Sequence, residues 1–124
     1  MSAPCESNSA ITSSEVIEYK YNSKGITVGT CAKEIDSYTF RDFTGLTEAI
    51  IGTNVTNIGN EAFKNCSQLN YIRSYPRAKV PVIGIGVFDN TNNCPIIVPL
   101  NKFDEYILAS GWIEYASRMQ IYPN

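Results

Sequence analysis

Cys66 sits in the stretch Gly59-Asn-Glu-Ala-Phe-Lys-Asn-Cys-Ser-Gln-Leu69, two residues after a lysine and with polar residues on either side. A thiol so placed has four possible uses. It could be a nucleophile with a lowered pKa, a metal ligand, half of a disulfide, or a small apolar side chain in a core. The first two uses need partners. The chain of 124 residues has no histidine, so no Cys–His or Ser–His–Asp arrangement can be assembled within it. The other cysteines are Cys5, Cys31 and Cys94, and no two stand as C-x-x-C, which argues against zinc. Four cysteines could form two disulfides in an oxidising compartment. Cys5 lies in a polar, serine-rich lead, where an exposed free thiol is expected ahead of a bond between chains.

The remaining candidates for chemistry are weaker. Ile83-Gly-Ile-Gly-Val-Phe88 lacks the third glycine and the helix signature of a dinucleotide loop. Asp104-Glu105 is the only adjacent acidic pair, and it falls where a helix should begin, a favourable place for carboxylates. Ten Lys and Arg stand against twelve Asp and Glu, a formal net charge of −2 with no run of like charge. That excludes the clustered cations of a nucleic-acid footprint. No apolar run approaches the roughly 18 residues of a membrane span. The first residues also lack the basic-then-apolar order of a secretory signal. Neither enzyme nor cofactor chemistry is expected.

The elements that position Cys66 come from an internal repeat. Ile35, Phe40, Arg41, Thr44 and Leu46 recur 23 residues later as Ile58, Phe63, Lys64, Ser67 and Leu69. A third copy places Ile83 and Phe88 another 25 residues on, then runs to Cys94 with an expected small insertion before the apolar run. A period of 23 to 25 is that of a leucine-rich repeat, in which each unit is one short strand and one turn and cannot bury its apolar side alone. Phe43 holds the place of Cys66 in the first copy. A position shared by Phe and Cys belongs to a core, so Cys66 is expected to be packing. The ten expected core positions are Ile35, Phe40, Leu46, Ile58, Phe63, Cys66, Leu69, Ile83, Phe88 and Cys94. Asn54-Val-Thr and Asn65-Cys-Ser match the N-glycosylation pattern. The middle residue of each reads as buried, so both asparagines are expected to turn the chain.

The fold expected is α+β, a short leucine-rich-repeat solenoid. Residues 1–14 are a polar N-terminal arm and residues 15–124 a single domain. Glu15 to Tyr21, Asn-Ser-Lys-Gly25 and Ile26 onward suggest a β-hairpin cap over 15–30. Repeats fill about 31–99, three in number, and a helical cap covers 100–124. In that cap Asn101 is the expected helix cap, Phe103, Tyr106 and Ile107 the inward stripe, and Gly111 the break before a second helical piece with Trp112, Tyr115, Ala116 and Met119.

Asn54-Val-Thr-Asn-Ile-Gly-Asn-Glu-Ala-Phe-Lys-Asn-Cys-Ser-Gln-Leu69 resembles the repeat of BspA-like leucine-rich repeat proteins, whose pattern is roughly V-T-x-I-G-x-x-A-F-x-x-C-x-x-L. Phe88 to Pro99, with Tyr106, Ala109, Trp112 and Tyr115 beyond, resembles the family's closing unit, and the resemblance spans about residues 28 to 122. It implies a protein-binding role without chemistry, at the surface of host-associated bacteria or in their viruses.

In a repeat strand the residues between core positions point outward. After Leu46 these are Thr47, Glu48 and Ile50. After Leu69 they are Asn70, Tyr71, Arg73 and Tyr75. Tyr and Arg favour protein contacts, so Glu48, Ile50, Tyr71, Arg73 and Tyr75 form the candidate protein-binding face. The expected function is a non-catalytic binding or adhesion module displayed at a bacterial cell or particle surface. Its partners would be proteins: a host ligand, a second copy, or a neighbouring structural protein. The alternative is a bacteriophage structural or decoration protein, suggested by the small size, few repeats and missing signal, with the polar lead as a docking arm.

Overall fold

A computed structural model of the chain describes residues 10–11, 25–27, 33–76 and 79–121. Its strands are short and come in alternating pairs: β1 (Ala10–Ile11), β2 (Gly25–Thr27), β3 (Glu34–Ile35), β4 (Glu48–Ile51), β5 (Asn57–Ile58), β6 (Tyr71–Ser74), β7 (Val82–Ile83), β8 (Ile96–Val98) and β9 (Met119–Ile121). Odd strands β1-β3-β5-β7 form a four-stranded sheet, and β2-β4-β6-β8-β9 form a five-stranded one. The pairing is parallel among the described strands, and its register reproduces the sequence offset, with Ile35 beside Ile58, Ile58 beside Ile83, and Ala49 beside Ile72. One side chain in two faces inward along β4 and β6, the alternation of a half-buried strand.

From β3 to β4, from β5 to β6 and from β7 to β8 the chain makes a run of turns rather than a helix. Residues with left-handed backbone interrupt each run at two equivalent places: Tyr38, Glu61 and Gly86 at the first, Asp42, Asn65 and Asn90 at the second. An L-residue in that region cannot continue a right-handed helix. The backbone bonds instead reach across to the next turn, as from Phe40 N–H to the Ala62 carbonyl at 2.7 Å and from Phe63 N–H to the Val87 carbonyl at 3.1 Å. Gly59 and Gly84 are required by this closeness. A Cβ on Gly59 would lie 2.3 Å from the Ser37 backbone nitrogen, and one on Gly84 would lie 2.8 Å from that of Asn60.

The core runs as a column through the turns. Phe40, Phe63 and Phe88 stack with ring centroids 5.1 and 5.8 Å apart, and Trp112 continues the column 5.3 Å from Phe88. All ten residues read from the sequence as core positions are buried. The α+β class holds: the described residues comprise parallel strands, one α-helix at Phe103–Leu108, and 3-10 turns at Leu100–Lys102 and Trp112–Arg118.

Several details differ from the sequence reading. Ala10–Ile11, read as part of an arm, pairs with Glu34–Ile35, and Gly25–Thr27, read within a hairpin, pairs in parallel with Glu48–Ile50. These two strands occupy the ladder positions of a further repeat ahead of the three expected. The rest of 1–30 lies outside the described residues.

The third copy's insertion lies not before the final apolar run but before Ile83. Residues 75–81 connect β6 to β7, whereas 52–56 suffice between β4 and β5. Cys94 is therefore not the mate of Cys66. Its N–H bonds to the Thr91 carbonyl as Leu69 N–H bonds to that of Cys66, so Thr91 holds the cysteine position and Cys94 the leucine position. Thr91 is tolerated there, fully buried, because its hydroxyl donates to the Phe88 carbonyl at 2.7 Å.

In the closing segment Asn101 lies inside the first 3-10 turn and caps nothing; the α-helix starts after Lys102 without a side-chain cap. Gly111, at φ 84°, separates it from the second 3-10 turn. Met119, read as part of that helical piece, begins β9, which pairs in parallel with β8.

Candidate protein-binding face

The outer face of the five-stranded sheet gathers the residues expected there. Register places Glu48 beside Tyr71 and Ile50 beside Arg73, and Arg73 beside Ile97 on β8. Gly25 on β2 lies beside Glu48, and a Cβ there would stand 2.9 Å from the Glu48 Cγ. A glycine on that strand thus leaves room for the glutamate side chain.

The side chains are joined to one another. Tyr71 donates its hydroxyl proton to Glu48 Oε2. That bond, ahead of desolvation, holds the Tyr71 phenol above its ordinary pKa. The Arg73 guanidinium lies over the Tyr71 ring at 4.8 Å from its centroid. Its Nη1 donates to the Tyr75 hydroxyl at 3.4 Å. Glu48 is exposed, while Ile50, Tyr71, Arg73 and Tyr75 are half-buried, because neighbours on a flat ladder cover each other's flanks. Thr47 is half-buried and Asn70 exposed; Asn70 N–H bonds to the Thr47 carbonyl at 2.7 Å. The arrangement is an aromatic plate carrying one placed cation and one placed carboxylate. Such a plate can stack on apolar surface and direct two charged hydrogen bonds without first ordering its own side chains. Ile97 was missed by the sequence reading; its signal was its place 24 residues after Arg73, the offset that also joins Ile72 to Ile96.

The chemistry considered for Cys66 has no support in its surroundings. The thiol is buried and unpaired, and its Sγ donates to the Phe40 carbonyl at 3.1 Å. Burial pushes its pKa up to about 12, opposite to what a nucleophile needs. Cys94 is also unpaired and raised by burial, with Arg118 pulling the other way. Cys5 and Cys31 lie outside the described residues. Among the described residues no group of three His, Cys, Asp or Glu could hold a metal ion, and no helix is long and apolar enough to cross a membrane.

The sequence reading also missed what fastens the closing segment. Arg118 Nε donates to the Cys94 carbonyl at 2.8 Å and Nη2 to the Thr91 hydroxyl at 2.7 Å. Tyr115 donates to Asp89 at 2.8 Å, and Trp112 Nε1 to the Pro81 carbonyl at 2.7 Å. No periodicity marks such partners, since each is used once.

Stacked turns with parallel strands, a phenylalanine column and a fixed offset define a leucine-rich-repeat protein. A family model for the BspA type leucine rich repeat region matches residues 7–114, and the chain belongs to that family. No curated protein and no solved structure matches the chain.

Proposed function

We propose that the chain is a non-catalytic protein-binding module, a short solenoid whose contact surface is the outer face of the five-stranded sheet. The observation that carries this reading is the joined set Glu48–Tyr71–Arg73–Tyr75. Tyr and Arg are, with Trp, enriched among the residues that dominate interface energetics, and here their geometry is set before any partner arrives. Membership of the family supports the same role. The site of action is the surface of a bacterial cell or a particle, where the partner is a host protein or a neighbouring structural protein.

The test immobilises the chain and passes over it envelope fractions and purified virus particles from the source. Proteins retained by the wild type and lost by Y71A/R73A, with folding unchanged, support the reading. Retention that survives both substitutions overturns it. The fraction supplying the partner separates adhesion from a virion role: an envelope or host protein speaks for the first, a capsid or tail protein for the second.

A further inference from the structure

The geometry points to a second site, independent of the sheet face: a groove that takes a small apolar anion, of the aliphatic-carboxylate class. It lies where residues 53–57, at and before β5, face Lys79, Val80 and Val82 at the end of the longer connection into β7. Insertions in a repeat protein fall on one face and often shape a binding surface. The concavity measures about 630 Å³, within the size range of small-molecule sites. Val55, Val80 and Val82 supply the apolar lining, and Thr53, Asn54, Thr56 and Asn57 the uncharged polar groups beside it. Val82 is 69% exposed, unusual for its type, at the position held by Asn57 one turn earlier.

Two cations line the same groove, Lys33 and Lys79. Both are exposed, and neither joins an ion pair among the described residues. No carboxylate lines the groove among the described residues. In a chain of net charge −2, that leaves a local positive rim over an apolar lining, complementary to an anionic head on an apolar tail. The local backbone favours a non-peptide ligand. Thr56 N–H is engaged by the Lys33 carbonyl and Val82 N–H by that of Thr56, so these amides are not offered to an added strand.

The experiment follows amide NMR shifts of the full chain titrated with dodecanoate, dodecyltrimethylammonium, acetate and a glutamate-rich peptide. Dodecanoate is expected to give saturable shifts at Val55, Thr56, Val80 and Val82, binding roughly tenfold or more tightly than the matching cation, with acetate weaker still. K33Q/K79Q should weaken dodecanoate by about five- to tenfold. V82N, which copies Asn57, should weaken it by roughly threefold through lost apolar contact. Equal binding of carboxylate and cation overturns the assignment, as do saturation at other residues, tighter binding of the peptide, or no saturable shift up to about 1 mM.

Discussion

Two rows of outward side chains run along the stack and differ in how they treat the repeat. On the turn side, Asp42, Asn65 and Asn90 occupy one position in successive turns. They are chemically alike and linked, Asn65 Nδ2 to Asp42 Oδ1 at 2.8 Å and Asn90 Nδ2 to Asn65 Oδ1 at 3.0 Å. On the wide-sheet side, equivalent positions hold unlike residues: Glu48 beside Tyr71, and Ile50 beside Arg73 beside Ile97. The turn row must supply a left-handed residue with a short amide or carboxylate, since that residue type tolerates the conformation and bonds locally. The sheet row has no such backbone demand. The repeat is kept where geometry dictates it and released where the backbone makes no such demand.

The sharpest way to break this comparison starts with the column both rows rest on. Phe63→Ala should cost about 3–5 kcal/mol, because its ring stacks on Phe40 and Phe88 and is fully buried. Urea unfolding should show a large drop in midpoint; a loss under about 1 kcal/mol would mean the column is not the core.

Cys66→Ala should cost about 1–3 kcal/mol. The folded thiol has its pKa raised to about 12, above an unfolded value near 8.5. The stability tied to the neutral thiol is therefore fully present below about pH 8.5 and is lost as pH climbs toward 12. Unfolding followed against pH should show this alkaline decline in the wild type, reduced in Cys66→Ala. Iodoacetamide at neutral pH should label Cys66 only after unfolding.

Asn65 separates the two demands on the turn row. Asn65→Ala puts a residue less tolerant of left-handed backbone at φ 65° and removes both side-chain bonds, for about 2 kcal/mol. Asn65→Gly keeps the conformation and should cost about half as much. Equal losses would show that the amide ladder, not the backbone, sets the residue type.

The sheet row should behave oppositely. Tyr71→Ala and Arg73→Ala should each move stability by no more than about 0.5 kcal/mol, while weakening a captured partner roughly tenfold or more. Binding compared by surface plasmon resonance, alongside urea midpoints, distinguishes this from a structural role.

How much of this was legible in the sequence follows the same division. Ile35, Ile58 and Ile83, and Phe40, Phe63 and Phe88, could be read because stacking demands one residue type at one offset. The strand at Ala10–Ile11 was harder, because the sequence after it departs from the pattern: Val16 stands five residues after Ile11, where Phe40 follows Ile35. Tyr38 at φ 65° could not have been anticipated, since a bulky aromatic rarely adopts that region. It stands where Glu61 and Gly86 stand, and its N–H bonds to the Asn60 carbonyl at 2.9 Å. Thr91 in the cysteine's place, β9 at the end of the wide sheet, and Arg118 on the last turn each depend on a tertiary partner met once. The members of the candidate face could be read from alternation along β4 and β6. Their mutual bonding could not, because it depends on which residues the parallel register sets side by side.

The most direct test of the division is a paired scan: alanine at Asp42, Asn65 and Asn90, and at Glu48, Ile50, Tyr71, Arg73 and Tyr75, each variant measured for unfolding midpoint and for retention of the captured protein. Stability losses should gather in the turn row and retention losses in the sheet row. Retention lost from the turn row while the sheet row binds as the wild type does would contradict it.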